Sequence, residues 1–149
     1  MNLVIEKFPA EARELILLAP LIFDKARQTL AEQDIKPSIL HGNLSPQDTH
    51  AVRYDRNGQT ITHVYLTSPC SFYGDSEFDM AFEDWPIPAS RSEFSPHFYQ
   101  GYYSTLSRRP GHAKRRLLYQ LFHLLNGALM NGGTYLDHAV ATAYRFLTA

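Results

Sequence analysis

The sequence predicts an α+β domain that is mainly helical and carries one small β-hairpin. Three observations lead there. Apolar residues recur at helical spacing near the N-terminus and through most of the second half, an Asn-Gly pair sits between two alternating segments, and no repeat or low-complexity tract interrupts the chain. Its 149 residues suffice for one core, since a domain of this size buries roughly two-thirds of its unfolded surface.

From Pro9 to Gln33 the positions of Leu15, Leu17, Leu18, Leu21, Ile22, Ala26 and Leu30 follow a helix. Pro20 should split or bend it, because proline removes a backbone donor and crowds the preceding turn. Residues 37–41 read as a short strand. Residues 50–55 and 60–66 read as a hairpin about Asn57-Gly58, both of which tolerate the positive φ of a type I′ turn. That turn pairs His50 with Tyr65, Val52 with His63 and Tyr54 with Ile61 on one face, leaving Arg53 and Thr62 on the other. A Pro/Ser/Gly stretch then leads to a short helix at 75–84, capped by Asp75 or Ser76 and ended by Trp85-Pro-Ile-Pro. Helices at 93–106, 112–131 and 134–147 complete the chain, with Gly132-Gly133 separating the last two.

Composition narrows the function. With 14 basic and 15 acidic residues and a formal charge of -1, the chain offers no field to attract nucleic acid or an anionic membrane, and neither is expected as a partner. No apolar run approaches the roughly 18 residues of a membrane span, and MNLVIEKFPAEARE lacks the basic-then-apolar order of a signal peptide. A cytoplasmic location is therefore expected. The single cysteine, Cys70, excludes an intrachain disulfide and a cysteine zinc cluster and reads as a small packed residue.

Charged and aromatic clusters receive plain readings. The hairpin register sets His50 diagonally from His63, but no third ligand has the right spacing for a metal. Asp48 with His41 or His50 resembles an acid/base pair, yet no nucleophile accompanies it. His123, among Leu121, Phe122, Leu124 and Leu125, reads as a packing histidine. Arg108, Arg109, Lys114, Arg115 and Arg116 read as a solvated loop and helix start, because overall charge is balanced and no aromatics interleave. Phe94, Phe98, Tyr99, Tyr102 and Tyr103 read as core and neighbouring surface.

One motif carries chemistry. HGNLSPQD, residues 41–48, has the spacing of a phosphoryl-transfer loop, in which a His-x-Asp is followed five residues later by Asn; here Asn43 stands in place of the Asp and Asp48 in place of the Asn. PSILHGNLSPQD, SPCSFYGDSEFDMAF and LLYQLFHLLNGALMNGGTY resemble, in order, three blocks of the fructosamine kinase (ketosamine kinase) family within the aminoglycoside phosphotransferase-like superfamily. The family versions read approximately HGDLW followed by Asn, then DPA with an aromatic-Gly segment and an acidic helix start, then a LYQLYHLLN helix ending in glycines. The resemblance runs from about residue 37 to the end and covers only the family's C-terminal lobe, the mainly helical half of a protein-kinase-like fold.

The resemblance implies site residues and also what has changed in them. The loop Asp of the family orients or deprotonates the sugar hydroxyl, and the downstream Asn and the Asp of DPA hold magnesium; this chain has Asn43, Asp48 and Ser68 there. An amide cannot take up a proton as a carboxylate does, and a hydroxyl is a poor exchange for a carboxylate on a hard dication. Electrostatic neutralisation of the transferring phosphate is the main catalytic contribution in such enzymes. His41 matches the loop histidine, and Asp79 the acidic residue that bonds the loop backbone. The expected Trp is Ser45, and Ser45, Tyr73, Tyr99 and Tyr102 mark a possible ligand groove.

Before residue 37 there is no Gly-rich phosphate loop, and Lys7, Lys25 and Lys36 lie outside any hydrophobic β context. Residues 1–36 read as a helical lead-in and 37–149 as the kinase-like lobe of one domain. The expectation is a catalytically degenerate, pseudokinase-like binding or interaction module without a cofactor. The alternatives are a half-enzyme using ATP and magnesium and completed by another chain, or a small-molecule binding domain. The face left open by the missing N-terminal lobe should be covered by a homodimer partner, another protein or the first 35 residues.

Overall fold

The computed structural model describes residues 1–8, 10, 12–31, 34–87 and 93–149. The elements run α1 (Asn2–Lys7), α2 (Arg13–Ala31), β1 (Ser38–Leu40), a 3-10 turn (Pro46–Asp48), β2 (Thr49–Arg56), β3 (Gln59–Leu66), β4 (Phe72–Gly74), a 3-10 segment (Ser76–Phe82), α3 (Pro96–Thr105), α4 (His112–Asn131) and α5 (Gly133–Thr148). This is the α+β, mainly helical class that the sequence predicts. The expected helix limits at Pro9 and Gln33, and Pro88 of the helix-ending segment, lie outside the described residues. Among the described residues no helix is long and apolar enough to cross a membrane.

Helix periodicity builds the core. Leu117, Leu121, Leu124 and Ala128 of α4 face Leu136, Ala139, Ala143 and Phe146 of α5, and Leu15, Leu18 and Ile22 of α2 join them. Small residues at 139 and 143 let the helices approach closely. Phe82, Trp85 and Ile87 close the core. Helix α1 falls within the helical lead-in read for residues 1–36, and its Val4 is buried there too.

Several local expectations are corrected. Of the two outcomes expected at Pro20, a split or a bend, the split is excluded, since α2 runs unbroken through it. Both Pro20 and Ile16 lie on the exposed side, so the carbonyl that loses its donor meets water and not the core. Leu17 and Leu21 fall on that same side, 71% and 58% exposed, although their spacing fits the helix. Cys70 is exposed rather than packed. None of the α3 aromatics is fully buried; Phe94 and Phe98 instead stack on each other at 3.8 Å.

The strands form two separate two-stranded antiparallel sheets. β2 and β3 pair in the expected register, His50 with Tyr65, Val52 with His63 and Tyr54 with Ile61, about a turn in which Asn57 and Gly58 both have positive φ, 53° and 77°. This hairpin packs on itself rather than on the helices. β1 pairs with β4, Leu40 opposite Phe72, a contact that nothing in the Pro/Ser/Gly stretch announces.

The 3-10 segment Ser76–Phe82 replaces the expected short helix, with Asp75 as its cap accepting from Glu77 N at 3.0 Å. It is locked to α4 by buried charge. Arg115, 1% exposed, donates through Nε to Glu77 Oε2 at 2.7 Å and through Nη2 to Glu77 Oε1 at 2.9 Å. Arg109 Nη2 donates to both oxygens of Asp75 at 2.5 and 2.6 Å, and Tyr119 OH donates to Asp75 Oδ2 at 2.7 Å. Of the basic cluster, Arg115 is thus paired inside the fold and Arg109 and Arg116 are partly buried against carboxylates, while Arg108 stays exposed beside Glu83. Burial would raise the Glu77 carboxyl, but donors from His112, Arg115 and Arg109 outweigh it and hold it far below the usual carboxylate range.

A depressed carboxyl contributes stability above its unfolded pKa of about 4.3 and loses it as pH falls below that value. Denaturant unfolding should therefore show a steep loss of stability below roughly pH 4 that Glu77→Gln makes shallower. At neutral pH the same substitution should cost about 3–5 kcal/mol, because it leaves the buried Arg115 without its countercharge.

Candidate functional site

The loop after β1 is held by one side chain. Asp79 Oδ2 accepts from His41 N at 2.7 Å and Asp79 Oδ1 from Gly42 N at 2.7 Å, so two successive amides converge on one carboxylate. Gly42 has φ 86°, and a Cβ there would sit 2.6 Å from Phe72 Cε1 and 3.0 Å from Cys70 Cβ. Only glycine satisfies both the turn and the packing. His41 is buried. Its Nε2 lies 2.7 Å from the Thr67 carbonyl and therefore donates to it, while its own carbonyl accepts from Cys70 N at 2.8 Å. The loop is thus tied to the segment between β3 and β4 as well as to the 3-10 segment.

Asn43 lines a cleft of about 290 Å³ with Phe82, Trp85, His123, Gly127, Asn131 and Tyr135. Tyr135 lies directly on the α4 backbone, where a Cβ on Gly127 would come within 2.1 Å of its ring. His123 packs between Phe78 and Phe82, ring centroids 4.5 and 4.3 Å away. The polar side chains that line the cleft are two amides, an imidazole, an indole and a phenol, and among the described residues no carboxylate lines it.

Asp48 lies on the 3-10 turn, where its Oδ2 accepts from Ser45 N at 3.0 Å and Ser45 Oγ at 2.6 Å. The carboxylate closes a capping box on its own turn. Its backbone carbonyl accepts from Thr67 N at 2.9 Å, which brings Ser68 alongside. Ser68 is exposed, with a positive φ of 56°. The groove candidates do not share a cleft. Ser45 is buried against Asp48, Tyr73 is 73% exposed on β4, and Tyr102 OH donates to Ser76 O at 3.3 Å. Tyr99 lines a different cleft of about 660 Å³ with Glu83, Tyr103 and Arg108. There, burial pushes the Tyr103 phenol up to about 12 against donation from Arg108.

The two hairpin histidines are engaged separately, His50 Nε2 3.2 Å from Thr67 Oγ1 and His63 Nε2 2.9 Å from Tyr54 OH. Among the described residues no group of three potential ligands is placed to hold a metal. The sequence reading missed the buried role of Asp75, Glu77, Arg109 and Arg115. The available signal was a pair of acids, Asp75 and Glu77, at the start of a short apolar segment and an arginine-rich cluster elsewhere in the chain.

Comparison with known proteins gives one answer. Residues 9–149 match the family model described as fructosamine kinase. A Klebsiella pneumoniae protein named "Probable ketoamine kinase in tonB 3'region" is 33% identical over 122 residues, 82% of this chain and 89% of its own length. The "Ketosamine-3-kinase" of Mus musculus is 36% identical over 114 residues, 76% of this chain and 33% of that one. The "Probable ketoamine kinase" of Synechocystis sp. is 31% identical over 121 residues, 80% of this chain but 36% of its own. A crystal structure of a "Putative fructosamine-3-kinase" from Haemophilus somnus superposes with a TM-score of 0.63 at 27% identity, covering 83% of this chain and 39% of that one.

Asp79→Ala should destabilise the domain by about 3 kcal/mol, the order of hydrogen bonds to a charged acceptor. Hydrogen exchange should show the His41 and Gly42 amides losing protection, whereas Asp79→Asn, which keeps one acceptor oxygen, should retain part of it.

Proposed function

The chain belongs to the fructosamine kinase family, and from that premise we propose that it is a catalytically degenerate member that binds rather than transfers. The observation that carries this reading is the Asn43 cleft, where an amide stands in place of the family's loop carboxylate and no carboxylate lines the cleft among the described residues. A neutral amide orients a hydroxyl but does not take its proton. The groups around it suit a small, neutral, hydroxyl-bearing ligand, held between aromatic rings and amide hydrogen bonds.

Magnesium does not fit the residues present. Ser68 offers a neutral hydroxyl, and Asp48 Oδ2 already accepts two bonds from Ser45. A hard dication needs more anionic oxygen than this. This chain also spans only 36% and 39% of the first two curated relatives it matches. A partner, either a second copy or another protein, belongs to the same reading. Ile39 and Tyr73, 70% and 73% exposed, present apolar surface beside the loop for it.

A second reading keeps phosphotransfer, with the remaining lobe supplied by another chain. The hold of Asp79 on His41 and Gly42 favours it, because a loop so anchored keeps its shape whatever residues it displays.

Thermal unfolding with and without millimolar ATP and magnesium separates the two. No shift is expected; a magnesium-dependent rise would put the half-enzyme first, since a ligand held at a hundred times its Kd adds about 2.7 kcal/mol. The combined substitutions Asn43→Asp, Asp48→Asn and Ser68→Asp should create measurable magnesium affinity by calorimetry. An affinity equal to that of the unaltered chain would remove the loop substitutions as the cause of its loss.

A further inference from the structure

The β2–β3 hairpin makes its main contacts within itself, and among the described residues neither of its edges pairs with a further strand. Every residue of β2 from His50 to Arg56 is exposed. In a hairpin closed by a two-residue turn, the pair flanking the turn, Arg56 and Gln59, exchanges hydrogen bonds. The alternation that follows directs the backbone groups of Tyr54 and Val52 towards β3. Those of Asp55, Arg53 and Ala51 are then directed outwards, where no neighbouring strand pairs with them among the described residues. An isolated two-stranded ribbon is marginally stable in water, and its edge invites another strand.

We propose that the β2 edge is a self-association surface, pairing antiparallel with β2 of a second copy about a two-fold axis at Tyr54. In that register Arg53 lies opposite Asp55 of the partner subunit, and the symmetry repeats the contact, so two opposite-charge pairs form on one face. These are also the residues whose outward N–H and C=O groups exchange bonds across the axis. On the other face Tyr54 meets Tyr54 of the partner subunit. Moving the axis by one residue sets Arg53 or Asp55 against its own copy, which is repulsive. Asp55 accepts from Thr60 Oγ1 at 2.8 Å, which steadies its carboxylate on the face that Arg53 shares. β3 bears no charged residue, so its edge has no comparable means of selecting a register. The product is a four-stranded antiparallel sheet, a size that holds together where a lone hairpin does not.

Two paired strands bury less than the roughly 1,000 Å² of a firm interface, so the association should be weak, on the order of tens of micromolar. Sedimentation velocity across a concentration series of the whole chain should show a monomer–dimer equilibrium. Arg53→Glu and Asp55→Arg should each weaken it by about tenfold or more, since each sets like charges opposite. The double variant carrying both substitutions restores opposite charges in the same register and should return the affinity to within about threefold of the starting value. Circular dichroism checks that the variants keep their fold. A chain monomeric throughout the series, a dimer indifferent to the single substitutions, or a double variant no better than the singles would each overturn the proposal.

Discussion

A buried carboxylate facing a buried guanidinium sets the geometry on which the rest of this chain depends. Glu77 and Arg115 make a two-pronged contact with both partners almost wholly out of water. Such a pair contributes little net stability, because desolvating two ions cancels most of their attraction, yet a shifted alignment would strand a charge in the core at several kcal/mol. The consequence is positional. The 3-10 segment can sit on α4 in one register only, and that register delivers Met80 and Phe82 to the interior and Asp79 to the loop. Asp79 then converts the register into loop shape by accepting the His41 and Gly42 amides.

What was legible in the sequence follows from how local its causes are. The hairpin register needed only an Asn-Gly pair and two alternating runs, and all its named pairs are found. Helices α4 and α5 needed only their own periodicity. Leu17 and Leu21 misled because spacing defines a helix without saying which side meets the core. The β1–β4 pairing was hidden because three residues facing three carry no pattern. The ion network was hidden for a further reason. Its ion pairs are 32 to 38 positions apart in sequence, and an arginine read alone is a surface residue, since only a countercharge brought from elsewhere permits burial. Cys70 was misjudged as packed by residue type, although the Thr67–Ser71 segment runs over the surface.

The loop shows a division between the residues that shape it and those it displays. Gly42, His41 and Asp79 answer to steric and hydrogen-bond demands that do not involve any ligand. Asn43 is the loop residue that lines the cleft, beside Phe82, Trp85 and His123. Asp48 belongs with the first group, since Ser45 occupies its carboxylate and the resulting cap starts the 3-10 turn that leads into β2. A single acid in a loop is therefore weak evidence for metal chemistry when a neighbouring hydroxyl and amide give it structural employment. The same distinction separates the two halves of the resemblance that the sequence carries. The hold of Asp79 on His41 and Gly42 belongs to the half that shapes the loop, while Asn43, Asp48 and Ser68 are the positions at which this chain departs from the family's residues.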